Sequence, residues 1–280
     1  DLPMPYTLEP LYRLQSPDNA MVQSGLDFQA LEYRLQQPVE AGVTIYHGEI
    51  INLDDCDLKR LGPHSWLNDT VCCLYINLLR QHVELDPSCA RVHLFDTFYY
   101  ASRIGGQKTR WIKQHNRWGA RFPNRELDSL EYICLPVNPG GSHWTVAVIN
   151  VVRNTLTYID GYRNPPPAFF YEKVRAWWKC IRTQAPTDLD PNRLLRCYHH
   201  SRTTDGGPIQ LDAHNCGVLM LRVMLGVVLR TSLTINPRHL DRHRLLMAQE
   251  LLSNRLLLGR QLDDLHHKDN LVLDNQRRKV

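Results

Sequence analysis

One stretch restricts the fold more than any other. Residues 209 to 217 form a polar loop that ends at Asn215-Cys216-Gly217. An apolar run then begins at once, with Val218, Leu219, Leu221, Val223, Met224, Leu225, Val227 and Val228. A run of that character is a buried helix, so the chain must supply other layers to cover it. Cys216 stands at the helix start, where unpaired amide N–H groups and the positive end of the dipole favour thiolate over thiol. Six residues upstream, Gln210 carries an amide that can point back toward whatever Cys216 attacks. Most buried cysteines are inert packing, so the stretch alone leaves a structural and a nucleophilic role both open. The rest of the chain has to supply a base and an acid.

Composition narrows the field. At 280 residues and 43% hydrophobic, the chain can bury the core of one large domain with extensions. The net charge of +4 is scattered, apart from a short basic run at 276–279, so no nucleic-acid partner is expected. No segment has the length of a membrane span, and the N-terminus lacks a charged-then-apolar signal pattern. The first residue is Asp1 rather than Met, as in a segment excised from something longer. Eight cysteines lie mostly in apolar runs without a C-x-x-C pair. They read as reduced thiols of a nuclear or cytoplasmic protein rather than a disulfide framework or a zinc site. His239 and His243 have the spacing of helical zinc ligands, but Leu240 stands where a zincin has its glutamate. They are expected to be surface histidines, and no metal or cofactor is expected.

Taken in order, residues 1–42 hold five prolines and read as an N-terminal extension with one helical piece from Leu26 to Leu35. A strand is predicted between Thr44 and Leu53, and Asp54-Asp55 can cap a helical turn through Leu61. His64 to Asp69 is a loop opening a helix that Asn68 or Asp69 can cap, with Val71, Cys72, Tyr75, Leu78 and Leu79 inward. Residues 91–100 look partly buried, and Gly105 to Asn124 reads as helix and loop. Glu131–Val137, Trp144–Val152 and Thr155–Ile159 read as strands, the first two separated by Pro139-Gly140-Gly141. With a hairpin loop at 151–154, Asp160 falls opposite Thr145, one diagonal step from His143, ~7–8 Å between backbones. His143 and Asp160 can therefore meet as a base and its orienting acid. A helix follows from about Phe169 to Arg182, with Trp177 and Trp178 as packing. Leu194–His199 is predicted as a fourth strand and Pro237–Leu258 as an amphipathic helix, and the last twenty residues as a tail.

Cys216, His143, Asp160 and Gln210 then form one set: thiolate, imidazolium, tautomer-fixing carboxylate and oxyanion donor. His214, two residues from Cys216, is too close along the chain to reach the sulfur and is read as loop polar. Asp205 and Asp212 are read as turn formers.

Several blocks in this order resemble the Ulp/SENP-type cysteine proteases that process ubiquitin-like modifiers. The blocks are Trp66-Leu67-Asn68-Asp69, His143-Trp144 with Tyr158-Ile159-Asp160, and Gln210 followed by Asn215-Cys216-Gly217. The resemblance runs from about Glu49 to Leu256. It implies an α+β fold of the papain-like, adenain-like kind, with a central, mostly antiparallel sheet flanked by helices. It also implies a protease domain over 43–258, between the extension and a tail at 259–280. The activity implied is an isopeptidase and C-terminal hydrolase, acting as a monomer on SUMO first, then NEDD8 or ubiquitin. Trp66 and Trp144 match the walls of a tunnel that admits only Gly-Gly, and flat aromatic walls of that kind exclude side chains. Asp69, Asp96 and Phe98 would face the body of the modifier. Two departures stand out: Asn215 replaces the usual aspartate, and Cys73 occupies a position where some SUMO-specific members carry an acidic partner-binding residue.

Two other functions remain open on sequence grounds. A related bacterial effector group uses the same His–acid–Cys order for acetyl transfer, which would place the protein in a host cell. A catalytically silent modifier-binding module is the second.

Overall fold

A computed structural model describes residues 28–46, 52–105, 127–184, 190, 192–200, 208–231 and 235–257. Its centre is a five-stranded sheet in the order β3 (Val92–Leu94), β4 (Tyr132–Val137), β5 (Thr145–Asn150), β6 (Thr155–Ile159) and β7 (Arg196–His199). The three middle strands pair antiparallel, as expected, whereas β3 joins β4 and β7 joins β6 in parallel. The sheet is therefore mixed. β3 was not legible as a strand because its three residues are too few to show a period.

Every residue of β4, β5 and β6 is buried, because both faces of the sheet are covered. Cys134, Val146, Val148 and Ile159 face a core shared with α2 (Asp69–Leu85), α4 (Cys216–Val228) and α5 (Leu240–Ser253). Ile133, Leu135, Ala147, Ile149 and Tyr158 face a second core, closed by Val174, Trp177 and Trp178 of α3 (Phe170–Gln184). This period of two sorts side chains to opposite faces, and double coverage turns the strands into unbroken apolar runs.

Local chemistry fixes the helix that precedes the site. Asn68 caps α2, its Oδ1 accepting from the Val71 N–H at 3.1 Å, while its Nδ2 donates to Asp57 at 2.6 Å. α4 is buried along all 13 residues, so the one charge inside it needs partners. Arg222 finds Glu250 of α5 at 3.3 Å, and the Tyr75 hydroxyl donates to the same carboxylate at 2.7 Å.

Several expectations need correction. The single strand expected from Thr44 to Leu53 is an antiparallel pair, β1 (Thr44–Tyr46) with β2 (Leu53–Asp54). Asp54 holds the N-cap position of the following turn without a side-chain bond; Asp55 instead turns inward, accepting from the Glu40 N–H at 2.8 Å and pairing with Lys59. Within the expected extension, α1 (Phe28–Gln36) buries Leu31 and Leu35 in the same core as α4. His243 is not a surface residue: it is 6% exposed, and its basicity is pushed well below the usual range by burial, then by Arg222. Cys73 is also interior, with its sulfur 3.1 Å from the Thr97 hydroxyl, so it cannot meet a partner. Predicted features at residues 1–27, 106–126, 205 and 258–280 lie outside the described residues.

Candidate active site

The β5–β6 hairpin sets the register. Val146 pairs with Ile159, so the next step along both strands brings Thr145 opposite Asp160, with His143 just beyond. His143 Nε2 lies 2.8 Å from Asp160 Oδ1. The other ring nitrogen is left for Cys216, which acts electrostatically on the imidazole. Asp160 is 2% exposed and Cys216 5%, so the pair operates in a medium where electrostatic coupling is weakly screened. Burial alone would lower the basicity of His143. The hydrogen bond to Asp160 and the nearby charges of Asp160 and Cys216 outweigh it and raise the pKa to about 9. The site thus sets an imidazole held cationic close to a sulfur at a helix N-terminus.

The loop before His143 is built to hold it. Gly140 and Gly141 take φ of 71° and 78°, a region glycine enters at no steric cost. The turn brings Asn138 Oδ1 to the His143 N–H at 3.2 Å. On the other side of the sulfur, a methyl added at Gly217 would stand 2.9 Å from Leu67 Cβ. Glycine there lets α4 close on the Trp66–Asn68 segment. Trp144 is 6% exposed, and its indole N–H donates to the Leu67 carbonyl at 2.9 Å, which fixes it relative to Trp66.

Trp66, Trp144, Asn68, Asp69, Gly141 and Ser142 line a cleft with Cys216 in its wall. Trp66 is 51% exposed, an aromatic left at the mouth. Asp69 is half-buried in the first turn of α2. Asp96 caps the turn holding Phe98, accepting from its N–H at 3.1 Å, and Phe98 stays 55% exposed.

Gln210 is buried, but it is not hydrogen bonded to Cys216. Its Nε2 donates to the Asp212 carbonyl at 2.7 Å and to the Tyr162 hydroxyl at 3.2 Å, and its Oε1 has no partner among the described residues. To donate to an oxyanion, one of these N–H bonds would have to be exchanged. Asp212 forms the expected turn, accepting from the His214 and Asn215 N–H groups at 2.9 and 2.8 Å. His214 is drawn toward Asp212 and Asp241.

Sequence reading missed two residues here. Arg244 of α5 is buried and spreads its guanidinium over Asn215 Oδ1 (2.6 Å) and the carbonyls of Arg60 (2.9 Å), Gly62 (3.0 Å), Ser65 and His214 (2.6 Å). The Asn215 amide donates onward to Asp212 and Asp241 at 3.0 and 2.9 Å. Asn215 thus serves Arg244 as an acceptor and the two acids as a donor, a dual role aspartate could not fill. Tyr162 is the other: its ring stacks on His143 with centroids 5.0 Å apart.

Comparison with known proteins places the chain in a family. The family model for the Ulp1 protease family, C-terminal catalytic domain, matches residues 65–256. The chain belongs to the Ulp1 protease family. Among relatives, this Ulp1-family chain is 26% identical over 167 residues to ubiquitin-like-specific protease 1A of Arabidopsis thaliana, covering 59% of this chain and 32% of that protein. It is 26% identical over 204 residues to human sentrin-specific protease 2, covering 72% and 32%. The chain thus spans about a third of the length of these two relatives. The C-terminal Ulp1 protease domain, solved in complex with Smt3, the yeast ortholog of SUMO, superposes with a TM-score of 0.65 at 19% identity, covering 88% of this chain and 99% of that one. The Ulp1-type fold is thereby shown. Among the described residues no helix is long and apolar enough to cross a membrane. Two groups, His82-Asp86-Cys89 and Asp54-Cys56-Asp57, bring together three potential metal ligands each, and neither includes a residue of the cleft.

Proposed function

We propose that this domain is a thiol isopeptidase and C-terminal hydrolase that cleaves after the Gly-Gly terminus of a ubiquitin-like modifier, with SUMO the first candidate. The observation that carries this reading is the His143 imidazole bonded to Asp160 and coupled electrostatically to Cys216 in the wall of a tryptophan-lined cleft. Family membership supports it, as do the relatives named for ubiquitin-like and sentrin substrates.

In this reading the Cys216 thiolate attacks the glycine carbonyl carbon, forming a C–S bond and an oxyanion. The Cys216 N–H and the Gln210 amide receive that charge; such a donor is worth about 3 kcal/mol of barrier. His143 gives its proton to the departing lysine amine as the C–N bond breaks, leaving a thioester. The neutral imidazole then takes a proton from water, which attacks the thioester, releasing the glycine carboxylate and restoring the sulfur. Asp160 holds the ring tautomer throughout. Trp66 and Trp144 select residues without side chains, while Asp69, Asp96 and Phe98 contact the modifier body. Unpaired cysteines, Cys216 among them, suit a reducing nuclear or cytoplasmic compartment. The catalytic unit is taken as residues 43–258, with α1 packed into its core through Leu31 and Leu35.

The test is a panel of SUMO, NEDD8 and ubiquitin probes carrying C-terminal electrophiles, run on wild type and Cys216→Ala. One covalent adduct on wild type, absent from the variant, is expected. Equal labelling of the variant would remove Cys216 as nucleophile. Autoacetylation with acetyl-CoA and no cleavage would favour acyl transfer, and an inert wild type a binding module.

A further inference from the structure

We propose that Tyr162 is a positioning residue of the catalytic pair, an aromatic cover that favours the charged form of His143 and couples it to the oxyanion side of the site. The inference rests on the proposed roles of His143 and Gln210. It starts from the turn that ends β6. The Arg163 N–H closes onto the Asp160 carbonyl at 2.9 Å, and Arg163 takes a φ of 59°. At Gly161 a methyl would stand 2.5 Å from Leu219 Cδ2 and 2.9 Å from Gln210 Cβ. Side chains crowding Gly161 on one side and a left-handed residue on the other flank Tyr162 in this turn.

The Tyr162 ring lies over the imidazole. The rings are 5.0 Å apart and 20° from parallel. The Tyr162 N–H donates to Asp160 Oδ1 at 2.7 Å, the same oxygen that meets His143 Nε2 at 2.8 Å. The Tyr162 hydroxyl donates to the Asp212 carbonyl at 2.6 Å and accepts from Gln210 Nε2 at 3.2 Å. One side chain therefore touches the base, its backbone touches the acid, and its hydroxyl holds the amide assigned to the oxyanion. An aromatic face stabilises a cation lying on it. The hydroxyl keeps the Gln210 N–H oriented until an oxyanion takes it over.

A packing role explains this less well, because Tyr162 is 37% exposed and adds little to the core. The titratable groups facing His143 are Asp160 and Cys216, and those acting on Tyr162 are Cys216, Asp212 and Asp160. Burial and those three negative charges raise the phenol pKa, so it stays neutral wherever His143 titrates. Losing the stack destabilises imidazolium against imidazole. The midpoint at which His143 loses its proton then falls.

The test compares wild type with Tyr162→Phe and Tyr162→Leu, reading the His143 ring titration by NMR and kcat and KM on a modifier fused through its Gly-Gly end. Tyr162→Leu should lower that midpoint by about half to one pH unit and cut kcat on the order of 10-fold with KM within about two-fold. Tyr162→Phe should keep the wild-type midpoint and lose about three-fold in kcat through the loosened Gln210 amide. An unshifted midpoint in Tyr162→Leu, or a Phe variant that titrates like the Leu variant, overturns the inference. A wild type silent toward every modifier, with the midpoint still moving, overturns the substrate reading and leaves Tyr162 as the residue that sets the charge of His143.

Discussion

Replacing Arg244 with methionine should disarm the site from a distance. Methionine matches much of the stem volume but removes every donor. Five acceptors lose their partner at once: Asn215 Oδ1 and the carbonyls of residues 60, 62, 65 and 214. Each buried acceptor left bare costs roughly 1–3 kcal/mol, but water and small loop movements will recover part of it, so the sum is an upper bound. Breaking a buried charged network by removing one partner costs about 3–5 kcal/mol, and we take that as the expected loss. Arg244 is buried, and its nearest carboxylate, on the exposed Asp241, is 3.9 Å away, so hydrogen bonds dominate over ion pairing. For a domain of this size that loss lowers the melting temperature by about 10 °C, within reach of differential scanning fluorimetry. The released segments carry Trp66 and Cys216, and a shift of about 1 Å in a reacting group costs on the order of 100-fold in rate. Arg244→Lys should fall nearly as far, because an ammonium cannot span a fan of acceptors on two segments. If Arg244→Met melts and cleaves like wild type, the clamp has no energetic role.

Other outcomes follow from the same geometry. Trp66→Ala, at an exposed position, should raise KM about 10-fold or more with kcat and melting temperature nearly unchanged. Trp144→Ala should also destabilise, since it empties buried space and frees the Leu67 carbonyl, costing about 3–5 kcal/mol. Asp160→Asn should lower the His143 pKa from about 9, so cleavage fails at a lower pH on the alkaline side. Because the folded-state pKa of His143 is raised, the stability it contributes is complete below about pH 6.5 and vanishes as pH rises through about 9. The melting-temperature gap between wild type and Asp160→Asn should therefore narrow across that window. Gly217→Ala should reduce both melting temperature and probe labelling, as its methyl meets Leu67 at 2.9 Å.

How far the chain could be read before folding depended on the range of each interaction. The meeting of His143 and Asp160 followed from hairpin register, a local rule, and the buried helix behind Cys216 followed from an apolar run. The edge strand β3 was too short to announce itself. Its neighbour β4 lies almost forty residues on, and parallel pairing at that distance leaves no local signature. Arg244 was invisible for a different reason: nothing in a charged residue on an amphipathic helix says that it points inward, and here five acceptors from two stretches, 60–65 and 214–215, make it do so. Tyr162 reads as an ordinary turn aromatic until the fold lays its ring on His143. The oxyanion role of Gln210 requires its amide to leave Asp212 or Tyr162, a rearrangement no sequence pattern announces.

The dependence of the nucleophile's loop on a side chain 28 residues further along has a consequence for biosynthesis. A ribosome delivers Cys216 well before Arg244, at about 5–20 residues per second. Throughout that interval the emerging chain carries its sulfur on a loop that lacks the Arg244 clamp. Competence would thus arrive late and abruptly, as α5 docks, and a half-made polypeptide would have no means of cutting its neighbours.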